Sequence, residues 1–282
     1  MKKIFTLIFL TLMLLFITSP TSAVNIQIEV DNVTVVSNAM PEIRKNRTMV
    51  PLRVVSESLG AEVQWSNSEI ILSKENMQIK LQPNNNTISK NGETEQIDAQ
   101  PYIKHGITFV PIRFIAETFD CNVSFIDSTV VVETKKLMIN NQQVSTIQNE
   151  FHMTMGGIEQ QLYGNGYIHR IYDVFTDKKG NNIEAPANYS WHYDIDTPGA
   201  YFKEGQFDFL DIEGNSIQRY DVYILVKAFP ADILLGYPEV LIHDVTNGQW
   251  NVYNNATIQT IDQLFENAES NGFLKNISHS VV

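Results

Sequence analysis

The strongest constraint on this chain is a match to itself at an offset of sixty residues. Val50-Pro51-Leu52-Arg53 recurs as Val110-Pro111-Ile112-Arg113. The same offset relates Pro41 to Pro101, Ile43 to Ile103, Thr48 to Thr108, Glu57 to Glu117, Val63 to Val123 and Trp65 to Phe125, and sets Asp31-Asn32 against Asn91-Gly92 without a gap. A fixed period of this kind signals one supersecondary unit used twice. The expected units cover about residues 26–76 and 77–134.

Each unit reads the same way. Ile26, Ile28 and Val30 alternate with polar residues, as a half-buried strand does. A turn at Asp31-Asn32 leads into Val33 to Val36, and its counterpart Asn91-Gly92 is a hairpin signal. Extended Pro41-Glu42-Ile43, a turn at Lys45-Asn46 and the short strand Thr48 to Val50 feed a helix. Pro51 suits its first position, where a missing N–H costs nothing. Leu52, Val55 and Leu59 form one apolar stripe, and Gly60 suits the stop. In the second unit Pro111 precedes Ile112, Ile115 and Phe119, with Asp120 in place of the glycine. Two short strands close each unit, at Glu62 to Trp65 and Glu69 to Ser73, then at Asn122 to Ile126 and Thr129 to Glu133. Arg53–Glu57 and Arg113–Glu117 are spaced i,i+4 with the base first, the weaker order on an exposed helix. Each arginine is therefore expected to tie its helix start to the preceding loop.

The stretch from Arg47-Thr48-Met49-Val50-Pro51-Leu52-Arg53 to Trp65, repeated at Val110-Pro111-Ile112-Arg113, resembles the copper amine oxidase N-terminal-like module. That family, also called the stalk domain, is common on secreted proteins of Gram-positive bacteria. The resemblance covers about residues 26–134; Ile107, Asp120 and Phe125 depart from it. It implies an α/β envelope module and argues against amine oxidation. In the oxidase the copper and the quinone cofactor sit in other domains. The cofactor tyrosine there lies in Asn-Tyr-Asp/Glu, whereas Asn188-Tyr189 is followed here by Ser190. None of the six histidines forms the family's His-x-His copper pair.

The first 23 residues read as a cleavable export signal. Lys2 and Lys3 precede an apolar run from Ile4 to Ile17, and Thr21-Ser22-Ala23 places small residues at a cut after Ala23. The apolar core is shorter than the roughly 20 residues of a spanning helix, so no membrane span is expected after cleavage. Loss of the two lysines leaves 18 basic against 32 acidic residues, a net charge of −14. Such a surface repels phosphates and does not favour nucleic acid or anionic lipid, so no nucleic-acid partner is expected. Cys121 is the one cysteine. It cannot form an internal disulfide, and no adjacent base or pKa-lowering group marks it as a nucleophile.

Residues 137–282 show no repeat and resemble no family. Strands are expected at Tyr167 to Phe175, Gln206 to Ile212, Ile217 to Ala228, Glu239 to Asp244 and Gln249 to Tyr253, separated by turns around Lys179-Gly180, Glu213-Gly214 and Asn247-Gly248. Helices are expected at Val144 to Phe151 and from a capping box at Thr260-Ile261-Asp262-Gln263, ending near Gly272. The fold class is α+β: a 24–136 stalk module followed by a mostly β domain over 137–282.

Chemistry is sparse. His192, Asp194 and Asp196 are close in sequence, but no second cluster at zinc-like spacing accompanies them. Asp208, Asp211 and Glu213 miss the calcium-loop pattern and are expected to flank a hairpin turn. No nucleophile elbow, zinc-protease helix or phosphate loop occurs. No catalytic residue, cofactor or metal site is assigned. Of the many aromatics here (Tyr163, Tyr167, Tyr172, Tyr189, Trp191, Tyr193, Tyr201, Phe202, Trp250) most are expected in a β core, with any exposed ones suited to a sugar or protein ligand. The expectation is a secreted or wall-associated, non-catalytic protein whose C-terminal domain binds wall polymer or another envelope protein. The alternative is a secreted enzyme, such as a wall-polymer hydrolase, with an unrecognised active site in that half.

Overall fold

The computed structural model describes residues 26–153 and 156–281. The export signal read over 1–23 lies outside them. The described residues form a mostly β, α+β structure with four helices, none long and apolar enough to cross a membrane.

The N-terminal part runs through β1 (Gln27–Val30), β2 (Val33–Thr34), β3 (Glu42–Arg44), β4 (Arg47–Pro51), α1 (Leu52–Ser58), β5 (Glu62–Ser66), β6 (Glu69–Lys74) and β7 (Met77–Leu81). It continues through β8 (Thr87–Lys90), β9 (Glu93–Gln96), β10 (Tyr102–Lys104), β11 (Ile107–Pro111), α2 (Ile112–Phe119), β12 (Asn122–Ile126) and β13 (Thr129–Glu133). Three small sheets interlock, ordered β12-β13-β1-β2, β10-β11-β4-β3 and β5-β6-β7-β8-β9. β1 pairs in parallel with β13, the last strand of this part. β4 and β11 run antiparallel with Val50 opposite Val110. Both helices begin after their prolines. Gly60 has φ +83 beyond α1, and Asp120 itself takes the left-handed conformation (φ 51) beyond α2, so the second stop needs no glycine.

The expectation for the two arginines holds for one of them. Arg113 reaches back to Asp98 at 3.7 Å. Arg53 instead donates forward, to the Val63 carbonyl of β5 at 2.8 Å, and pairs with Glu57 at 3.2 Å. β5 lies within reach of the helix start, so a carbonyl acceptor on that strand takes the guanidinium.

Beyond the hairpin of β14 (Met138–Ile139) and β15 (Gln142–Gln143), the chain forms β16 (Thr146–Met153), β17 (Gly156–Leu162), α3 (Asn165–Asp177), β18 (Asn182–Ile183), β19 (Tyr189–Ser190), β20 (Tyr201–Leu210), β21 (Ser216–Leu225), β22 (Val240–Asp244), β23 (Gln249–Tyr253), α4 (Asn255–Ser270) and β24 (Leu274–Val281). The main sheet is ordered β18-β23-β22-β21-β20-β16-β17-β24, with β19 beside β20.

Three expectations fail here. Tyr167 to Phe175 is helical, not a strand. Its buried residues Tyr167, Ile168, Ile171, Val174 and Phe175 fall at helical spacing, and the backbone N–H of Asn165 at the helix start donates to the distant Asp31 carboxylate at 2.9 Å. Val144 to Phe151 is not helical; it lies mostly in β16. Val144 and Ile147 mimic a helical stripe, but pairing with β17 and β20 on both sides decides the segment. The late helix starts earlier than Thr260. Asn254 caps it, accepting the Thr257 N–H at 3.0 Å, and Thr260 lies inside, bonded to the Ala256 carbonyl.

A single apolar cluster runs from Ile26 and Val30 through Leu59 and Ile115 to Tyr167, Phe175, Phe209 and Phe273. The N-terminal and C-terminal parts therefore share one core. Their seam is narrow. A Cβ on Gly166 of α3 would lie 2.3 Å from the Ser58 carbonyl oxygen, and one on Gly60 would lie 2.8 Å from that of Gly166. Across it Asn271 donates to the Glu57 carboxylate at 3.4 Å, Arg170 pairs with Glu62 at 2.5 Å, and Asp31 accepts the Asn165 N–H at 2.9 Å.

Candidate functional site

Helices α3 and α4 cover one face of the main sheet; the other face carries a row of polar side chains. Strand register sets that row. Glu159 on β17 lies opposite Glu150 on β16, which lies opposite Gln206 on β20. Gln206 faces Asp221, Asp221 faces His243, and His243 faces Trp250 on β23. Side chains directly opposite across strands share a face, so the alternation that buries Phe207, Tyr220 and Ile242 against the helices turns these residues the other way.

Asp221 is the hub. Its carboxylate accepts Lys203 Nζ at 2.6 Å and a two-pronged Arg219 at 2.9 and 3.2 Å. The side chains of Lys203 and Asp221 are each only 6% exposed. Lys203 also reaches Gln206 Oε1 at 3.0 Å, and its ammonium lies 4.5 Å from the ring centre of Trp191. Gln206 passes the network on to Asp208, which also accepts the Ser216 hydroxyl. Burial lowers the Lys203 pKa, and the Asp221 pair opposes that shift. Burial likewise lowers His243, which stacks on Trp250 with ring centres 4.4 Å apart.

Two loops frame this face. In the first, Tyr189 sits edge-on to Trp250 and Tyr223, and Tyr193 sits edge-on to Phe202. Tyr189 is 42% and Tyr193 60% exposed. Of the other seven aromatics named from sequence, Tyr167, Tyr201 and Trp250 are buried, while Tyr163, Tyr172, Trp191 and Phe202 are half-buried. The second loop, residues 226–239, is held at both feet. Lys227 pairs with Glu239 at 2.7 Å, and Tyr201 donates to the Pro238 carbonyl at 2.8 Å. Leu234 packs inward against the Tyr201–Trp250 cluster. Leu235 points out at 85% exposure, between exposed Ile233 and Tyr237.

The other residues named from sequence have structural partners. Asp194 accepts the backbone N–H groups of Asp196 and Thr197 and the Asn188 amide, which hold its carboxyl below the usual range and fix the first loop. His192 donates its N–H to Ser190 Oγ. Asp211 bonds the N–H groups of Glu213 and Asn215 in the hairpin turn, while Asp208 belongs to the polar network. Among the described residues, no group of three or more His, Cys, Asp or Glu side chains is placed to hold a metal ion. Burial pushes the Cys121 thiol up to about 11, so it is protonated at neutral pH. Sequence reasoning missed Lys203, Arg219 and Asp221. The available signal was Arg219 and Asp221 alternating with Tyr220 and Val222, charge on one side of a strand and apolar bulk on the other.

A family model matches the N-terminal part. Residues 29–134 match the family model described as the copper amine oxidase N-terminal domain. A relative from Brevibacillus choshinensis described as "Protease inhibitor" is 31% identical over 124 residues, covering 42% of this chain and 36% of the relative. The match thus spans about a third of that relative's length. No solved structure matches.

Proposed function

We propose that this chain is an exported, non-catalytic binding protein that uses the loop-framed face of its C-terminal domain to hold another extracellular protein. One observation carries the non-catalytic reading: the two buried carboxylates of the polar face, Asp208 and Asp221, are engaged. Asp221 is held by two cations and Asp208 by an amide and a hydroxyl, so neither is placed to take a proton from a substrate.

The Lys2-Lys3 signal and the family match at 29–134 support export to a Gram-positive cell envelope. On this reading residues 24–136 are a stalk of two tandem units. The same element order at the same offset and the antiparallel facing of Val50 and Val110 support that division. The chain is not an amine oxidase, since neither the tyrosine context nor the copper pair is present in its sequence.

A protein partner is favoured over wall polymer. The framing loops expose several large apolar side chains, Tyr193, Ile195, Ile233 and Leu235 among them, the last at 85% exposure on a loop pinned at both feet, and such a preformed apolar anchor suits a pocket on another protein. The relative's description as a protease inhibitor agrees with a protein partner. The test is binding and inhibition against purified extracellular serine, cysteine and metallopeptidases, alongside co-sedimentation with purified cell wall. Saturable binding to a peptidase that Leu235→Asp removes is expected. Sedimentation with wall alone overturns the protein partner, and wall-polymer hydrolysis overturns the non-catalytic reading.

A further inference from the structure

The helix-covered side of the main sheet holds a cleft that the proposed partner surface does not use. It opens between α4 and strands β16, β20 and β21 and measures about 400 Å³. That lies within the range of small-molecule sites. Its floor is apolar. Phe207, Val222 and Ile261 are buried there, and Phe265 closes one side edge-on to Phe207 at 5.8 Å.

A bulge in β20 shapes the mouth. Lys203 pairs with Tyr223 and Gly205 with Val222, so Glu204 is the extra residue between two successive partners. Bulges re-aim side chains in this way. Gly205 brings no side chain to the floor, and Glu204 stands at the mouth with Asp262 and Glu266 of α4. Among the described residues lining the cleft there is no Lys, Arg or His. Both Glu204 and Asp262 keep contact with solvent, but partial desolvation by the cleft walls lifts them above their ordinary values; Asp262 adds to the shift of Glu204, and Glu266 to that of Asp262. A cation at the mouth relieves this repulsion, whereas an anion adds to it.

We propose that this cleft binds a small cationic amphiphile, its apolar chain or ring seated on Phe207, Val222 and Ile261 and its ammonium or guanidinium group held between Glu204 and Asp262. Calorimetry at neutral pH on the purified protein tests this with three probes of one chain length: octylamine, octanol and octanoate. Octylamine is expected to saturate the protein about tenfold or more tightly than octanol, with octanoate weakest. In the double variant Glu204→Gln, Asp262→Asn, octylamine is expected to fall to the level of octanol while the thermal midpoint holds. Ile258→Trp, which fills the cleft from α4, is expected to abolish binding of both. Leu235→Asp, on the other face, is expected to leave octylamine binding unchanged, so this site and the partner surface fail separately. Octylamine binding no tighter than octanol, or a preference that survives the double variant, overturns the proposal.

Discussion

Replacing Gly166 by Ala tests whether the N-terminal and C-terminal parts are packed backbone to backbone. Helix propensity alone favours the change, by about 1 kcal/mol. Packing opposes it. The new methyl would lie 2.3 Å from the Ser58 carbonyl oxygen, 2.5 Å from the Leu59 carbonyl carbon and 2.6 Å from the Gly60 nitrogen. An ordinary C···O approach is about 3.3 Å, so α1 and α3 must part by about 1 Å. All three clashing atoms are backbone, and no rotamer change relieves them. Overpacking of a fixed core costs about 1–3 kcal/mol, and the absence of any flexible neighbour puts this case at the upper end. The expected net loss is about 2 kcal/mol. In a chain of this size that is a drop of roughly 4–8 °C in the thermal midpoint. Urea unfolding with an unchanged slope measures it, and amide exchange should quicken first along 58–60 and 165–170. A stability equal to or above wild type would refute the seam.

Three further outcomes follow from single groups. The Ser56 hydroxyl is buried without a hydrogen-bond partner, so Ser56→Ala should raise stability by about 1 kcal/mol in urea titration; a loss would mean the hydroxyl is paired. Asp221→Ala strips the counter-charge from two cations, one of them buried, and should cost about 3–5 kcal/mol, whereas Asp211→Ala in the exposed turn should cost far less; equal losses would deny the network its role. His243 has its pKa lowered chiefly by burial, with Arg219 and Lys203 lowering it further against Asp221 and Asp244. Burial therefore favours the neutral ring. Its stabilisation is complete above the unfolded value of about 6.5 and is lost as pH falls through the lower folded value. An NMR titration should place the His243 midpoint below that of an exposed histidine, and His243→Phe should flatten the acid side of the stability profile. A midpoint at or above 6.5 would contradict this.

Local signals in the N-terminal part located most of its elements, though not β7 (Met77–Leu81). Pro51 and Pro111 open the two helices where expected, because a fixed φ and a missing N–H act within one turn. The strands after each helix also fall where the alternation put them. In the C-terminal part the errors share one cause. Val144 and Ile147 are both compatible with a helical stripe, and the β pairing that decides their segment comes from residues 162 and 209. The start of α3 is fixed by Asp31, 134 positions away in sequence. No window of sequence contains those partners. The polar face was hidden for a related reason. Lys203 and Asp221 look like solvated charges along the chain, and only the register of β20 on β21, shifted by the Lys203/Gly205 bulge, brings them together.

The position of that bulge links the two faces of the sheet. In an unbroken strand, Lys203 and Gly205 would point the same way. The extra residue lets Lys203 enter the Asp221 network on one side while Gly205 opens the cleft floor on the other. One irregularity thus serves a buried ion pair and a cleft mouth together. The shared core carries this arrangement into the N-terminal part, because Phe207 and Phe209 on β20 belong to the same cluster as Leu59 and Val30. Among the described residues, an N-terminal part joined through one core, with glycine backbones in contact and Asp31 bonded to the start of α3, is braced against the C-terminal part. On the proposed function, a partner on the loop-framed face is therefore held at a fixed angle to residues 26–134. Rigid presentation of this kind reduces the entropy cost of association, which matters most for a preformed apolar tip such as Leu235.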